Sequence, residues 1–357
     1  MSLAQRQIDT TAAAIVRCIT FFASLPVPNA LMTQPAPQWS VAIFLARESI
    51  DILIRTIQSA MLACGSRVAV IDVLVNGNSE LANGAATALT DLVPKNSNCT
   101  LRLWFVREGD KGHTWNQFLH VINPGAEVTF FIDGYVEVRP DAFSLIDFGL
   151  RAHPLSIAAT GLPTSGRSAP ALRRDMLRWG GMHGNLFAVR GAVLATLAQR
   201  KFRLPLGIYR NDSLLASVFN YNLSPGEFEV DVSRVLIQQD ATWDVAEHSQ
   251  PLWKKVSVQL KRMLRQGQGD LENAALQTHF TTRRLRPETL PETSAELITS
   301  WVRANQEQFR KMWMRRPLTW YAYRKIQQPR NWSLSTRTAE LILTVEPSQP
   351  EHPKPLL

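Results

Sequence analysis

Residues 111–141 read KGHTWNQFLHVINPGAEVTFFIDGYVEVRPD, and the fold is decided here. A glycine turn at Lys111-Gly112 opens an amphipathic helix, read over Thr114 to Val121. An apolar strand follows with Val128, Phe130, Phe131 and Ile132, and it stops on Asp133. In open α/β sheets the carboxyl ends of the strands border the ligand crevice, so a carboxylate in that place faces a cleft and not the core.

Working outward, the same alternation recurs. Val41–Ala46 and Val68–Val75 are short apolar runs suited to strands buried on both faces. Ile50, Leu53, Ile54, Ile57 and Met61 fall at helical spacing between them. Asn76-Gly77-Asn78-Ser79 is a turn, Leu81–Leu92 a helix, and Leu101–Val106 a third strand. Strands alternating with helices predict an α/β fold with a mostly parallel sheet covered by helices on both faces. Beyond Pro140 the reading is a helix at 142–150, a strand at 157–161, and a loop over 164–183, rich in Gly and Arg. A strand at 185–189, a helix at 192–199, a strand at 235–238 and helices at 252–265 and 294–314 complete it.

A chain of 357 residues suits one large α/β domain with an appendage, and its 45% hydrophobic content is ordinary for globular proteins. Four regions are expected: an N-terminal helix and Pro-rich arm over 1–39, the α/β domain over 40–250, a basic aromatic helical C-terminal module over 251–335, and a flexible tail over 336–357. No apolar run is long enough to span a bilayer, and the stretch 12–25 is interrupted by Arg17. Three scattered cysteines fit a reduced, cytoplasmic compartment and no C-x-x-C site. Neither a phosphate-binding Walker loop nor GxGxxG occurs.

The net charge of +9 is uneven. Residues 251–330 carry 16 Lys or Arg against 6 Asp or Glu, so the rest of the chain is close to neutral. Trp301, Phe309, Trp313, Trp320, Tyr321 and Tyr323 interleave with these bases. That pattern suits an anionic membrane face or a phosphate-rich acceptor. It equally suits aromatics docked on the main domain with arginines outside. No nucleic-acid partner is expected, since that would leave the upstream motifs unexplained.

Several fragments resemble the family 2 glycosyltransferases, whose fold is called GT-A, over residues 40–268. Phe44-Leu45-Ala46-Arg47-Glu48 is similar to a strand end "PxxNE", Val73–Ser79 to "VVDNGS", and Gly109–Asn116 to "NxGKAxALN". Asp133-Gly134-Tyr135 stands where the family has DxD, and Arg210–Leu215 resembles "(E/T)EDxxL". Gln259–Met263 resembles "QxxRW" without its Trp. The resemblance implies an inverting glycosyltransferase that moves a sugar from a nucleotide-diphosphate donor, UDP-sugar favoured, to an unknown hydroxyl acceptor. Ala46, Glu48, Asn76, Lys111 and Asp133 would then hold the nucleotide-sugar, and Gln259 and Arg262 the acceptor or diphosphate.

The same resemblance makes Asp212 the general base, a role that contributes about 10²–10⁴-fold. Read without it, Asp212 is a helix N-cap, Asn76-Gly77 an ordinary turn, and Glu48 a carboxylate at a helix start. Asp133 would also be the metal ligand for Mn²⁺ or Mg²⁺. Tyr135 is neutral near pH 7 and cannot serve as the second hard anionic ligand, so metal dependence is left open. The alternative is a catalytically degenerate GT-A protein that binds a nucleotide-sugar or a partner. A peripheral position on the inner face of a membrane follows from the basic module.

Overall fold

The computed structural model describes residues 36–93, 97–165, 169–245 and 252–347, apart from the side chains of 252–262 and Trp179. The expected N-terminal helix and most of the Pro-rich arm lie outside the described residues.

Four strands form the centre of a 9-stranded sheet: β1 (Trp39–Leu45), β2 (Ala69–Asn76), β3 (Cys99–Val106) and β4 (Val128–Asp133). They lie side by side in the order β4-β1-β2-β3, all parallel. Helices α1 (Ile50–Cys64) and α2 (Ser79–Leu89) form the connections from β1 to β3, and α3 (Lys111–Gln117) leads toward β4. The Thr114–Val121 helix of the sequence reading is thus α3 prolonged by one wider turn, Phe118–Ile122.

Beyond β4 come β5 (Val136–Val138), α4 (Ala142–Ala152), β6 (Ala158–Pro163), α5 (Ala169–Trp179), β7 (Leu186–Arg190), α6 (Gly191–Gln199), α7 (Asn211–Asn220) and β8 (Val235–Val245). The outer order is β5-β8-β6-β7 next to β4. β6 and β8 run in the sense of the four central strands, whereas β5 and β7 run against it. The sheet is therefore mostly parallel and flanked by helices, as the alternation predicts.

Continuous apolar strands make sense because both faces are buried. Val41, Ile43 and Leu45 enter one core with α1, α2 and α4, while Ala42 and Phe44 enter the other. Phe130 and Phe131 divide the same way. Phe130 stacks on Phe143 at 4.2 Å, and Phe131 stacks on Phe187 at 4.7 Å.

The second core continues into the C-terminal helices α8 (Leu252–Gln277) and α9 (Ser294–Ala304), followed by α10 (Gln306–Arg315) and α11 (Pro317–Ile326). Leu271, Leu276, Leu297, Ile298 and Trp301 share a cluster with Trp115, Phe131 and Phe219. Where the sequence reads one helix over 294–314, Asn305 breaks it. Its backbone N–H and side-chain amide both donate to the Trp301 carbonyl at 2.9 Å, closing α9. Where it reads α8 as ending at 265, Gly267 and Gly269 continue the helix. The Arg210 side chain lies against Gly269, in space a Cβ would occupy. The Gly- and Arg-rich loop over 164–183 contains α5.

The expected tail is also corrected. Residues Glu340–Val345 form β9, antiparallel to β3, with Leu343 and Val345 against the first core. The strand covers an edge of unpaired β3 backbone, a gain that outweighs the flanking prolines. Among the described residues no helix is long and apolar enough to cross a membrane.

Candidate active site

The carboxyl ends of β1, β2 and β4 open on one cleft of about 640 Å³. Register explains the convergence: Phe44 pairs with Asp133 on one side and with Leu74 on the other. Ala46, Glu48, Asn76, Lys111, Asp133 and Asp212 all line this cleft. Gln259 and Arg262 have side chains outside the described residues. The described α8 residues on the cleft wall are Arg265 and Gln266.

At the floor, Lys111 makes an ion pair with Oδ1 of Asp133. The Tyr135 hydroxyl donates to Oδ2 of the same carboxylate at 3.0 Å and lies 3.2 Å from Oδ1 of Asn185. Burial pushes the Tyr135 hydroxyl well above its ordinary pKa, and the Asp133 charge adds to the shift. It therefore remains a neutral donor. Lys111 is delivered by the first turn of α3, whose N-cap is Asp110. Oδ1 of Asp110 accepts the His113 N–H at 2.8 Å, and Oδ2 accepts the Gly207 N–H at 3.0 Å. Asp110, standing where the resembling motif has glycine, thereby ties the Lys111 turn to the chain leading toward α7. Asn116 is a second tie, exchanging hydrogen bonds with the Leu204 backbone at 2.9 and 2.8 Å.

Glu48 turns back on its own loop, where Oε2 accepts the N–H groups of Ala46 and Arg47, both at 2.8 Å. Asn76 ends β2 immediately before Gly77, whose φ of +65° suits glycine. A Cβ there would collide with Gly109, so the two loops touch. Asn78, not Asn76, does the capping: its Oδ1 accepts from Leu81 at 3.0 Å and starts α2.

Asp212 lies inside the first turn of α7, while the N-cap position is Arg210, without a side-chain cap. Its Oδ1 accepts the Ser213 N–H at 2.9 Å and its Oδ2 accepts the Gly184 N–H at 3.3 Å. The entry to α7 is anchored by Glu272 of α8, which is fully buried. Glu272 accepts the N–H groups of Tyr209 at 2.8 Å and Arg210 at 3.0 Å, and the Gln268 amide at 2.8 Å. Burial raises its pKa to about 7.

Two residues escaped the sequence reading. His183 lines the cleft, its Nδ1 accepting from the Asn185 N–H at 3.2 Å. Burial lowers its pKa, against the pull of Asp212 and Asp133. The Gly-Gly-Met-His-Gly run around it marks it. His248 lies outside the described residues. Glu272 gives no local signal of its role, as the two backbone N–H groups it accepts are some sixty residues upstream.

The donor set does not fit a divalent cation by itself. Asp133 has both oxygens engaged by Lys111 and Tyr135, and the described residues contain no group of three acidic, His or Cys side chains able to hold a metal.

No protein-family model and no curated protein sequence matches this chain. Its similarity is to solved structures. A mannosyltransferase from Pyrobaculum calidifontis, in complex with GDP-Man and Mn²⁺, shows 14% identity over 89% of this chain and 94% of that one, with a TM-score of 0.50. TarS of S. aureus with UDP-GlcNAc shows 10% identity over 81% and 80%, TM-score 0.48. Glucosyl-3-phosphoglycerate synthase from Mycobacterium tuberculosis, with Mn²⁺ and UDP-glucose, shows 14% over 64% and 77%, TM-score 0.43. The fold is that of GT-A glycosyltransferases.

Proposed function

We propose that the protein is a glycosyltransferase acting on a nucleotide-diphosphate sugar and a hydroxyl acceptor, with inversion at the anomeric carbon. The observation that carries this reading is the meeting of Ala46, Glu48, Asn76, Lys111, Asp133 and Asp212 around one cleft, although they are scattered over more than 160 residues of sequence. Asn76, whose amide both donates and accepts, suits the edge of a uracil, which favours a UDP-sugar. Asp133 accepts from a ribose hydroxyl. Lys111 sets its charge beside the diphosphate, and a cation there stabilises the negative charge that builds on the leaving group.

In the reaction the acceptor oxygen bonds to the anomeric carbon from the face opposite the diphosphate. Its proton passes to a carboxylate oxygen of Asp212. The bond from the anomeric carbon to the diphosphate oxygen breaks, and its electron pair leaves with the nucleotide diphosphate. Gly184 and Ser213 hold Asp212 by their N–H groups, which limits its rotation before the proton arrives. Mn²⁺, present with a nucleotide sugar in two of the similar structures, enters no step here because Asp133 stands alone.

Calorimetric titration with UDP-, GDP- and dTDP-sugars tests the reading: one of them binds, and no binding by any overturns it. A second reading is favoured by Tyr135 and Asn211, which replace acids of the resembling motifs. On it the protein binds a nucleotide-sugar without transfer. Binding without release of nucleotide in the presence of any hydroxyl acceptor decides for that alternative.

A further inference from the structure

A larger cavity of about 1130 Å³ adjoins the cleft, and Arg47 and Arg265 line both. Its remaining wall comes from one face of α9 with Arg303, from α11 with Lys325, and from the 327–332 segment with Arg330. Five cations thus surround it, against the single acid Glu296. Arg330 is already bonded to Glu108 at 3.1 Å and lies over the Trp332 ring at 4.0 Å. Arg47, Arg265, Arg303 and Lys325 form no ion pair among the described residues, and the lone acid on the wall, Glu296, is bonded to none of them.

Four unneutralised cations converging on a concave surface repel one another, and an anion placed among them relieves that repulsion. The α9 N-terminus opens on the same cavity, adding the positive end of its dipole. The volume is that of a small-molecule site and not of an extended polymer track.

We propose that this cavity binds the acceptor, and that the acceptor is a small hydroxyl compound carrying a phosphate group. The word acceptor rests on the transferase reading above; the anion site does not. With its phosphate held by Arg303 and Lys325, such a compound extends past Arg47 and Arg265 into the cleft that Asp212 lines. The arrangement separates the two charges of the reaction, with the donor diphosphate beside Lys111 and the acceptor phosphate on the far side of the Arg47–Arg265 boundary.

The test uses the full chain and the double variant Arg303→Glu/Lys325→Glu, titrated with inorganic phosphate, glucose 6-phosphate, glucose and UDP, with melting curves recorded on both proteins. The native protein binds glucose 6-phosphate and not glucose, and the double variant binds it at least about tenfold more weakly with UDP affinity unchanged. If the reversal unfolds the chain, Arg303→Gln/Lys325→Gln is read the same way. Equal affinity of the native protein and the variant for glucose 6-phosphate overturns the proposal. So does a parallel loss of UDP binding, which assigns the cations to the donor. Attachment to phosphatidylglycerol vesicles that the variants abolish, without any affinity for the soluble phosphates, overturns it in favour of a lipid surface. A native protein that binds glucose 6-phosphate but no nucleotide sinks the transferase reading and leaves the anion site standing.

Discussion

The Tyr135 hydroxyl donates to Oδ2 of Asp133 at 3.0 Å, while Lys111 occupies the other oxygen of that carboxylate. Tyr135, which stands at the second acid position of the resembling motif, thus serves Asp133 as a neutral partner, and the positive charge paired with that carboxylate is a lysine ammonium. Turnover is accordingly expected to persist in EDTA and to change little with added Mn²⁺ or Mg²⁺. Rates measured under the three conditions check this. Abolition by EDTA with rescue by micromolar Mn²⁺ contradicts it and sends the search for a ligand to His183 and to residues outside those described.

Lys111→Met removes the ammonium while keeping an unbranched stem. Asp133 is left half-buried with only Tyr135 for a partner. The expected loss is about tenfold in affinity for UDP, as for one charge-assisted contact, with a larger fall in turnover because the leaving diphosphate carries more charge than the bound donor. Calorimetry and steady-state kinetics read the two effects separately. Undiminished UDP affinity would remove Lys111 from the donor site.

Glu272 supplies a pH dependence. Burial raises its pKa from 4.5 to about 7 in the folded protein. Between those values the folded state holds a proton that the unfolded chain has released, so stability falls as pH rises through this window. The total is on the order of 3 kcal/mol, absent below about pH 4.5 and fully expressed above about pH 7. Glu272→Gln abolishes the slope. It also sets an amide NH₂ against one of the N–H groups of Tyr209 and Arg210, which costs about 1–3 kcal/mol and loosens the entry to Asp212. Urea unfolding at about pH 5 and about pH 8 on both proteins checks it, and equal pH dependence in the two would refute the assignment.

The parallel centre was legible because strands buried on both faces are apolar throughout. Asp133 stood out as the first polar residue after Ile132 in such a run. What stayed hidden depends on contacts distant in sequence. Gly269 reads as a helix stop until Arg210 is seen lying against it, and β9 reads as a tail until the bare edge of β3 is known. Glu272 looks like one more charge on a polar helix, since nothing near it announces the two N–H groups it accepts. Ala46, Asn76 and Asp133, by contrast, are local signals at or just past strand ends, gathered by the sheet register. Lys111 and Asp212 instead sit on helices tied in place by Asp110, Asn116 and Glu272.

Asp212→Asn separates catalysis from structure at the one position where both readings began. Asp212 is not the N-cap of α7, but its oxygens accept the Ser213 and Gly184 N–H groups. An asparagine keeps a single acceptor oxygen, so it retains one of those bonds and sets its NH₂ against the other donor. The stability cost is about 1 kcal/mol, because the Gly184 contact is long at 3.3 Å. On the proposed reading Asp212 is the general base, a role that contributes about 10²–10⁴-fold to turnover, and an amide cannot take the acceptor proton. Rate and melting temperature measured on one preparation therefore diverge: a collapse of turnover, a shift of a few degrees in Tm, and UDP binding intact. A variant that turns over at the native rate would move the base elsewhere. In that event His183, neutral at pH 7 on the same cleft wall, is the next residue to change.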